Sequence, residues 1–555
     1  METTATHRWA GLYPQGVGAT HVVTAASLAE AWRLRVASNP GSKAIAYFDG
    51  ELTAREVDEL SDALAVALAD RGVSHGDRIG IQLQNIPQYA LALVALWKLG
   101  AIGVLLNPMY QGRELRHLID DSGARGLIVD DLLYAGTADT AQESSVEWII
   151  STSGRAFQTR NDPRVFSPGE RGRTSPDGDL VMLLEQFSGQ APAPLELSQD
   201  DVALLTYTSG TTGPPKGAMN THGNILNVAE TTASWMGLAP EDAVLAVAPL
   251  FHITGAVIDA VTPLLHDTTL VLVNRTQPEV VVDAFKEHGV TCTTGSITVF
   301  NAIERVDVAT AAHFSSTKNL YSGGAPIPPS TVEKFERRFG QYIHNIFGMT
   351  ETTSAVIAVP PGTRAPVDPS SGSLSIGLPM PNIEARIIDP DGKPLLAGEQ
   401  GELELSGPQI VPGYWNNPEA TEHAMPGGRL RTGDVSIMDE DGWVYIVDRL
   451  KDQINVSGYK VWPREVEDIL YEHPAVFEAA VVGAPDEYRG ETVVAYVTVR
   501  GGTEVTEQEI IDFAKSRLAA YKYPRNVHII DDLPKTQTGK IRRRALRDGL
   551  KEGHQ

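Results

Sequence analysis

The stretch Tyr207-Thr-Ser-Gly-Thr-Thr-Gly-Pro-Pro-Lys-Gly217 gathers hydroxyl side chains, glycines and one lysine into a single loop. That composition suits a polyphosphate. Gly210 lets backbone N–H groups approach oxygens, Thr208, Ser209, Thr211 and Thr212 donate from hydroxyls, and Lys216 supplies a point charge. A Walker loop would read GxxxxGK[ST] and run straight into a helix. Here the glycines and lysine are spaced differently, and residues 217–219 read as a second short strand. A P-loop kinase or ATPase is therefore disfavoured. No GxSxG elbow and no GxGxxG fingerprint occurs, which removes the simplest hydrolase and dinucleotide readings.

Such a loop needs strand ends to carry it, and the flanking pattern provides them. Residues 44–48, 78–83, 102–106 and 126–129 read as strands. Helices are expected at 57–70, behind a Thr53/Glu56 capping box, and at 87–99 and 112–121. Strand–helix–strand units at this spacing imply parallel sheet with covering helices. Residues 152–200, rich in Ser, Gly, Pro and Asp, read as a long surface excursion. The alternation resumes at Val202 and runs to about Phe347. Between about Ser354 and Asp448 the pattern turns β-rich, with turn pairs Asp391-Gly392 and Asp441-Gly442. The last hundred or so residues read as a separate α+β unit. Pro463 opens one of its helices, and Thr506 with Glu509 caps another. The expected fold is α/β. A large N-terminal domain (residues 1–449) has mixed and parallel sheets, helices and a β-rich subdomain. A small α+β C-terminal domain spans residues 450–555.

Composition narrows the partners. Among 555 residues, 46 Lys and Arg face 70 Asp and Glu, a net charge of −24. Nucleic acid is not expected as a partner, because phosphate backbones need basic surface. A small anionic ligand stays open, since a local site can oppose the global charge. The lone Cys292 rules out an intrachain disulfide and a Cys-rich zinc site. The N-terminus lacks a basic region followed by an apolar one, so no secretory signal is read. The most apolar stretch, residues 244–265, contains Pro249, His252, Asp259 and Pro263 and reads as buried core rather than a membrane span. A cytoplasmic location is expected.

At the phosphate loop the chain resembles the adenylate-forming (ANL) superfamily of acyl-CoA synthetases, nonribosomal adenylation domains and beetle luciferases. The resemblance covers nearly the whole chain, in family order. It includes Pro249-Leu-Phe-His252, Ser322-Gly-Gly-Ala-Pro326, Phe347-Gly-Met-Thr-Glu351 and Arg431-Thr-Gly-Asp434. It continues with Asp448-Arg-Leu-Lys-Asp452, Asn455-Val-Ser-Gly-Tyr-Lys460 and Pro534-Lys-Thr-Gln-Thr-Gly-Lys540. The family implies a large domain, a hinge and a small mobile C-terminal domain. It also implies two half-reactions with ATP, Mg2+ and coenzyme A. A carboxylate attacks the α-phosphorus to give acyl-AMP and pyrophosphate, and a thiol then displaces AMP.

By this resemblance Lys540 is the catalytic lysine, bridging the attacking carboxylate and the α-phosphate. Glu351 holds Mg2+ and Thr350 the phosphate, a carboxylate beside a hydroxyl being suited to a cation with few protein ligands. Asp434 accepts the ribose hydroxyls and Arg449 supports the ribose. Gly323, Gly324 and Ala325 lack bulk, so a flat adenine can lie against them, with Asn345 near its amino group. Lys451 falls at the hinge. Gly458 lets the pantetheine arm pass, with Asn455 as a companion contact. The Arg542–Arg544 run reads as a solvated or phosphate-facing surface.

The acyl pocket reads as open. Gly348 stands where acetate-specific relatives carry Trp. Gly255 and Ala256 also leave room, and His252 is a pocket wall or gate. The segment 295–300 is mostly apolar and offers no cation for a second acid group. The expected activity is therefore an ATP-dependent acyl-CoA synthetase for a medium- or long-chain fatty acid. An aryl or arylpropenoic acid ligase is the nearest competitor. An adenylating enzyme loading a separate carrier protein is a further alternative, and a homodimer stays open.

Overall fold

The computed structural model describes residues 8–208, 214–325, 327–369, 371–457, 459–486, 488–536 and 541–552. Two large sheets form its centre. A six-stranded sheet runs in the spatial order Trp148–Thr152, Gly126–Asp130, Arg78–Gln82, Ile102–Leu105, Val202–Tyr207 and Gly217–Thr221. The first five strands are parallel and the last is antiparallel. A nine-stranded sheet has a parallel middle, Ile343–Met349, Asn319–Ser322, Cys292–Gly295, Ala243–Leu245, Thr269–Leu272 and Lys43–Tyr47. Its two edges are antiparallel. The strands are short apolar runs buried on both faces, as parallel sheets covered by helices must be. Helix Pro87–Leu99 shows the consequence: residues 87–97 are all buried. A helix that is apolar all round has to be wrapped by other elements.

The α/β class expected from the strand–helix alternation is what the structure shows. The Thr53/Glu56 capping box opens helix Ala54–Asp70, and Thr506/Glu509 does the same for Glu507–Lys515. The long excursion expected over residues 152–200 is only partly irregular. Asp179 accepts from the N–H groups of Val181 and Met182 and starts a helix at Leu180–Gln186. Seven residues are too few for a helical period to show against a polar background.

Beyond the large sheets lies a four-stranded antiparallel sheet, Glu384–Ile388, Gln400–Ser406, Leu430–Met438 and Val444–Arg449. A turn of 3-10 helix, Leu450–Asp452, leads to a five-stranded sheet that begins at Ile454–Val456. That last sheet has an apolar cluster of its own, built on Ile454, Val466, Val481, Val497 and Ile510. Polar contacts tie it back to the preceding sheet. The buried Arg464 donates its backbone N–H to Asp448 at 2.9 Å and its Nη1 to the carbonyl of Ile446 at 2.5 Å. No helix among the described residues is long and apolar enough to cross a membrane.

Candidate active site

Thr208, Gly323, Thr350 and Glu351 lie beyond the C-terminal ends of strands in the two large sheets, where ligands sit in open α/β sheets. Thr208 follows Val202–Tyr207, Gly323 follows Asn319–Ser322, and Thr350 and Glu351 follow Ile343–Met349. The phosphate loop is pinned at its base. The Thr208 N–H donates to the Lys216 carbonyl at 2.9 Å, and the Thr208 hydroxyl accepts from the Lys216 N–H at 3.4 Å. Strand Gly217–Thr221 then returns antiparallel to Val202–Tyr207, the short second strand that argued against a Walker loop. The loop interior, Ser209, Gly210, Thr211 and Thr212, lies outside the described residues, as do Gly458 and Lys540.

Glu351 is buried, at 8% exposure. The turn that delivers it is closed by Thr352, whose hydroxyl accepts from the Met349 N–H at 2.7 Å and donates to the Ser354 carbonyl at 2.6 Å. Asn220, just past the phosphate loop, donates to the Thr350 carbonyl at 3.2 Å and the Thr353 hydroxyl at 3.0 Å. Residues 411–415 complete the join. The Val411 N–H donates to the Glu351 carbonyl at 2.9 Å, the Trp415 N–H to Gly217 at 2.7 Å, and the Met219 N–H to Gly413 at 3.1 Å. From this strip Tyr414 donates its hydroxyl to Glu351 Oε1 at 2.6 Å, and Lys216 Nζ stands 5.0 Å from the centre of the Tyr414 ring. Burial, then the Glu351 carboxylate, push the Tyr414 phenol well above its ordinary range, so it stays a donor. Tyr414 is the site residue that sequence reasoning missed. Its available signal was an aromatic pair, Tyr414-Trp415, directly after Gly413 in a stretch otherwise read only as β-rich.

Asp434 and Arg449 are brought together as expected. They are direct partners across antiparallel strands. Arg449 Nε lies 2.7 Å from Asp434 Oδ1, and Asp434 is 2% exposed. Asn345 is buried, and its amide donates to the Ser375 carbonyl at 2.9 Å. Gly324 has φ +80°, and Ala325 packs on the core. Lys451 sits within the 3-10 turn, and Asn455 is exposed on strand Ile454–Val456 with its N–H bonded to Glu491 at 2.7 Å.

The acyl-wall residues read differently in three dimensions. A side chain at Gly348 would meet the Ser354 carbonyl oxygen at 1.6 Å, and one at Gly255 the Pro249 carbonyl oxygen at 2.1 Å. Both glycines are therefore demanded by backbone approach, whereas the sequence reading offered them as pocket room. Gly255 begins a π-helix, Gly255–Val261, directly after the His252 segment. π-Turns of this kind recur at functional sites. The His252 ring nitrogen Nδ1 accepts from the Thr254 N–H at 3.4 Å, and the Thr254 hydroxyl accepts from Ser354 at 3.4 Å. Asp259, fully buried in the same π-helix, accepts from the Ala248 N–H at 3.1 Å. Burial pushes its carboxyl far up, opposed by backbone N–H groups of Ala248 and Thr294.

Among the described residues no three His, Cys, Asp or Glu side chains gather as a metal set. The donor chemistry still fits Mg2+, which keeps waters and takes phosphate oxygens beside one or two carboxylates. Glu351 would be that carboxylate.

A basic-run expectation is corrected. Arg543 is not solvated: it donates to both oxygens of Glu467, at 2.9 and 2.5 Å, while Arg544 is exposed. Helix Pro463–Tyr471 brings Glu467 to meet it.

A pinned loop with a lysine, a buried carboxylate at a strand end and a buried acid paired with an arginine are features of an α/β enzyme whose family its relatives identify. Residues 32–415 match the family described as AMP-binding enzyme, and residues 465–540 match the AMP-binding enzyme C-terminal domain. The chain is 34% identical over 536 residues to a long-chain-fatty-acid–CoA ligase of Escherichia coli O157:H7, covering 94% of each. It is also 34% identical over 511 residues to a feruloyl-CoA synthase of Amycolatopsis sp, covering 92% of this chain and 96% of that one. Among solved structures, ATP-bound MatB from Rhodopseudomonas palustris superposes with a TM-score of 0.84 at 26% identity, over 95% of this chain and 100% of that one. The chain belongs to the AMP-binding enzyme family, in its acid–thiol ligase branch.

Proposed function

We propose that this chain is an acyl-CoA synthetase that activates a medium- or long-chain fatty acid with ATP and transfers the acyl group to coenzyme A. The observation that supports the nucleotide half is the pairing of Lys216 and Glu351 through Tyr414, with the buried Asp434 and its partner Arg449 as the proposed ribose site. In the first half-reaction a carboxylate oxygen attacks the α-phosphorus and pyrophosphate leaves. Both partners are anionic, so the protein's task is to neutralise and align them. Lys216 faces the outgoing phosphates, Asp434 and Arg449 hold the ribose, and Lys540 spans the carboxylate and the α-phosphate. Mg2+ at Glu351 neutralises phosphate charge when bound. In the second half-reaction the thiol sulfur attacks the acyl carbon, its proton is lost and AMP departs. Residues 450–555 turn at Lys451 between the two, taking Lys540 away and bringing Gly458 and Asn455 to the pantetheine arm.

The fatty acid reading rests on the uncharged segment 295–300 and on the long-chain-fatty-acid ligases among the relatives. An aryl or arylpropenoic acid is the second reading, favoured by the equally similar feruloyl-CoA synthase. Acyl-CoA formation over fatty acids from two to eighteen carbons and several aryl acids decides between them. A rise in kcat/KM with chain length supports the first reading, and preference for an arylpropenoic acid replaces it with the second.

A further inference from the structure

Lys216 and Glu351 carry opposite charges and touch the same side chain, yet among the described residues no ion pair joins them to each other. Tyr414 lies between them. Its hydroxyl solvates the carboxylate at 2.6 Å, and its ring face receives the ammonium at 5.0 Å. With Glu351 and Tyr414 buried, a direct Lys–Glu pair would be strong, and a nucleotide would have to break it before either charge could act. A hydrogen bond from an uncharged phenol and a cation–π contact are each easier to leave than a direct ion pair. Backbone bonds on both sides fix the tyrosine's height: Trp415 to Gly217 at 2.7 Å, and Val411 to Glu351 at 2.9 Å. These bonds hold in place the backbone from which the ring projects.

We propose that Tyr414 is a positioning residue that keeps Lys216 and Glu351 apart, so that the triphosphate site stands ready with both charges available. The proposal rests on the nucleotide reading of the site. It assigns the residue no contact with reacting atoms. In a Leu variant the spacer's hydroxyl and ring both vanish, Lys216 and Glu351 collapse onto each other, and a nucleotide must separate them. In a Phe variant the ring still carries Lys216.

The test is ATP binding by calorimetry in the presence of a chelator, without Mg2+, on the full chain and on Tyr414→Leu, Tyr414→Phe, Glu351→Gln and the Tyr414→Leu/Glu351→Gln double variant. Tyr414→Leu is expected to weaken ATP about tenfold, a coupling typical of contacting residues, and the double variant to bind like Glu351→Gln alone. Tyr414→Phe is expected to stay within about threefold of the parent, since the cation–π contact remains. An equal loss from Tyr414→Leu in both backgrounds would show simple packing damage and overturn the proposal. So would an unchanged Tyr414→Leu, or a tenfold loss in Tyr414→Phe, which also decides the matter if the Leu variant does not fold. A parent chain that binds no ATP would bring down the nucleotide reading itself, a result distinct from all of these.

Discussion

Asp434 and Arg449 meet across two antiparallel strands, with the acid buried and the arginine half in solvent. Removing the carboxylate takes away the proposed acceptor for ribose hydroxyls and deprives Arg449 of that partner. Asp434→Ala is expected to raise the KM for ATP about tenfold or more, the scale of hydrogen bonds to a charged group, while the KM for the acid moves little. Steady-state kinetics with each substrate varied checks the split. Asp259 belongs to the other wall. It holds the backbone one residue before Pro249, and burial favours its neutral form. Asp259→Asn keeps a neutral acceptor and should retain most activity. Asp259→Leu leaves the Ala248 N–H unpaired in the core and should cost about 1–3 kcal/mol of stability in urea titration. Lys216, Glu351 and Asp434 could be singled out because each stands in a short motif, a loop lysine or a carboxylate beside glycines or hydroxyls, in the order the family shows. Tyr414 was not, because its partner Glu351 is 63 residues away and only the pairing of residues 411–415 with both neighbours brings them together.

Elements that carry their own signals were read correctly. Capping boxes fall at Thr53 and Thr506, and Pro463 opens its helix at the first position. What escaped the sequence depends on long-range packing. The π-helix Gly255–Val261 begins where Gly255 lies against the Pro249 carbonyl, a close approach that no periodicity announces. Arg542 to Arg544 look alike in sequence, yet helix Arg543–Glu552 turns Arg543 inward, where it reaches Glu467 and lies 3.6 Å from Asp452, while Arg544 stays exposed. Asp452 ends the 3-10 turn that contains Lys451, so this ion-pair cluster joins the helix after Lys540 to the expected hinge. Arg543→Met leaves Glu467 buried without its arginine and should release this helix at a cost of about 3 kcal/mol. Hydrogen exchange confined to residues 541–552 would show it. Unchanged protection there would contradict it.

At the scale of the molecule the net charge of −24 sits on the exterior of a protein whose proposed site sets Lys216 and Arg449 against phosphate. The large sheets depend on buried junctions such as His222, which is 1% exposed and whose Nδ1 accepts from the Leu28 N–H at 3.2 Å. Burial first, opposed by Asp201, pulls this imidazole down to about 4. The folded state thus keeps it neutral. The stability it contributes is present above pH 6.5 and is lost as pH falls toward about 4, by about 3 kcal/mol. His222→Gln should be less stable than the parent at pH 7.5, and the gap in Tm should narrow as pH falls from 6.5 to about 4. A gap that widened over that interval would contradict the assignment. The most direct test of the whole account is the reaction itself: purified protein with ATP, Mg2+, CoA and the panel of acids, read by mass spectrometry. The account predicts acyl-CoA and AMP in equal amounts, with product lost in Lys540→Ala. Pyrophosphate release with no thioester from any acid, or a Lys540→Ala variant forming acyl-AMP at the parent rate, would contradict it.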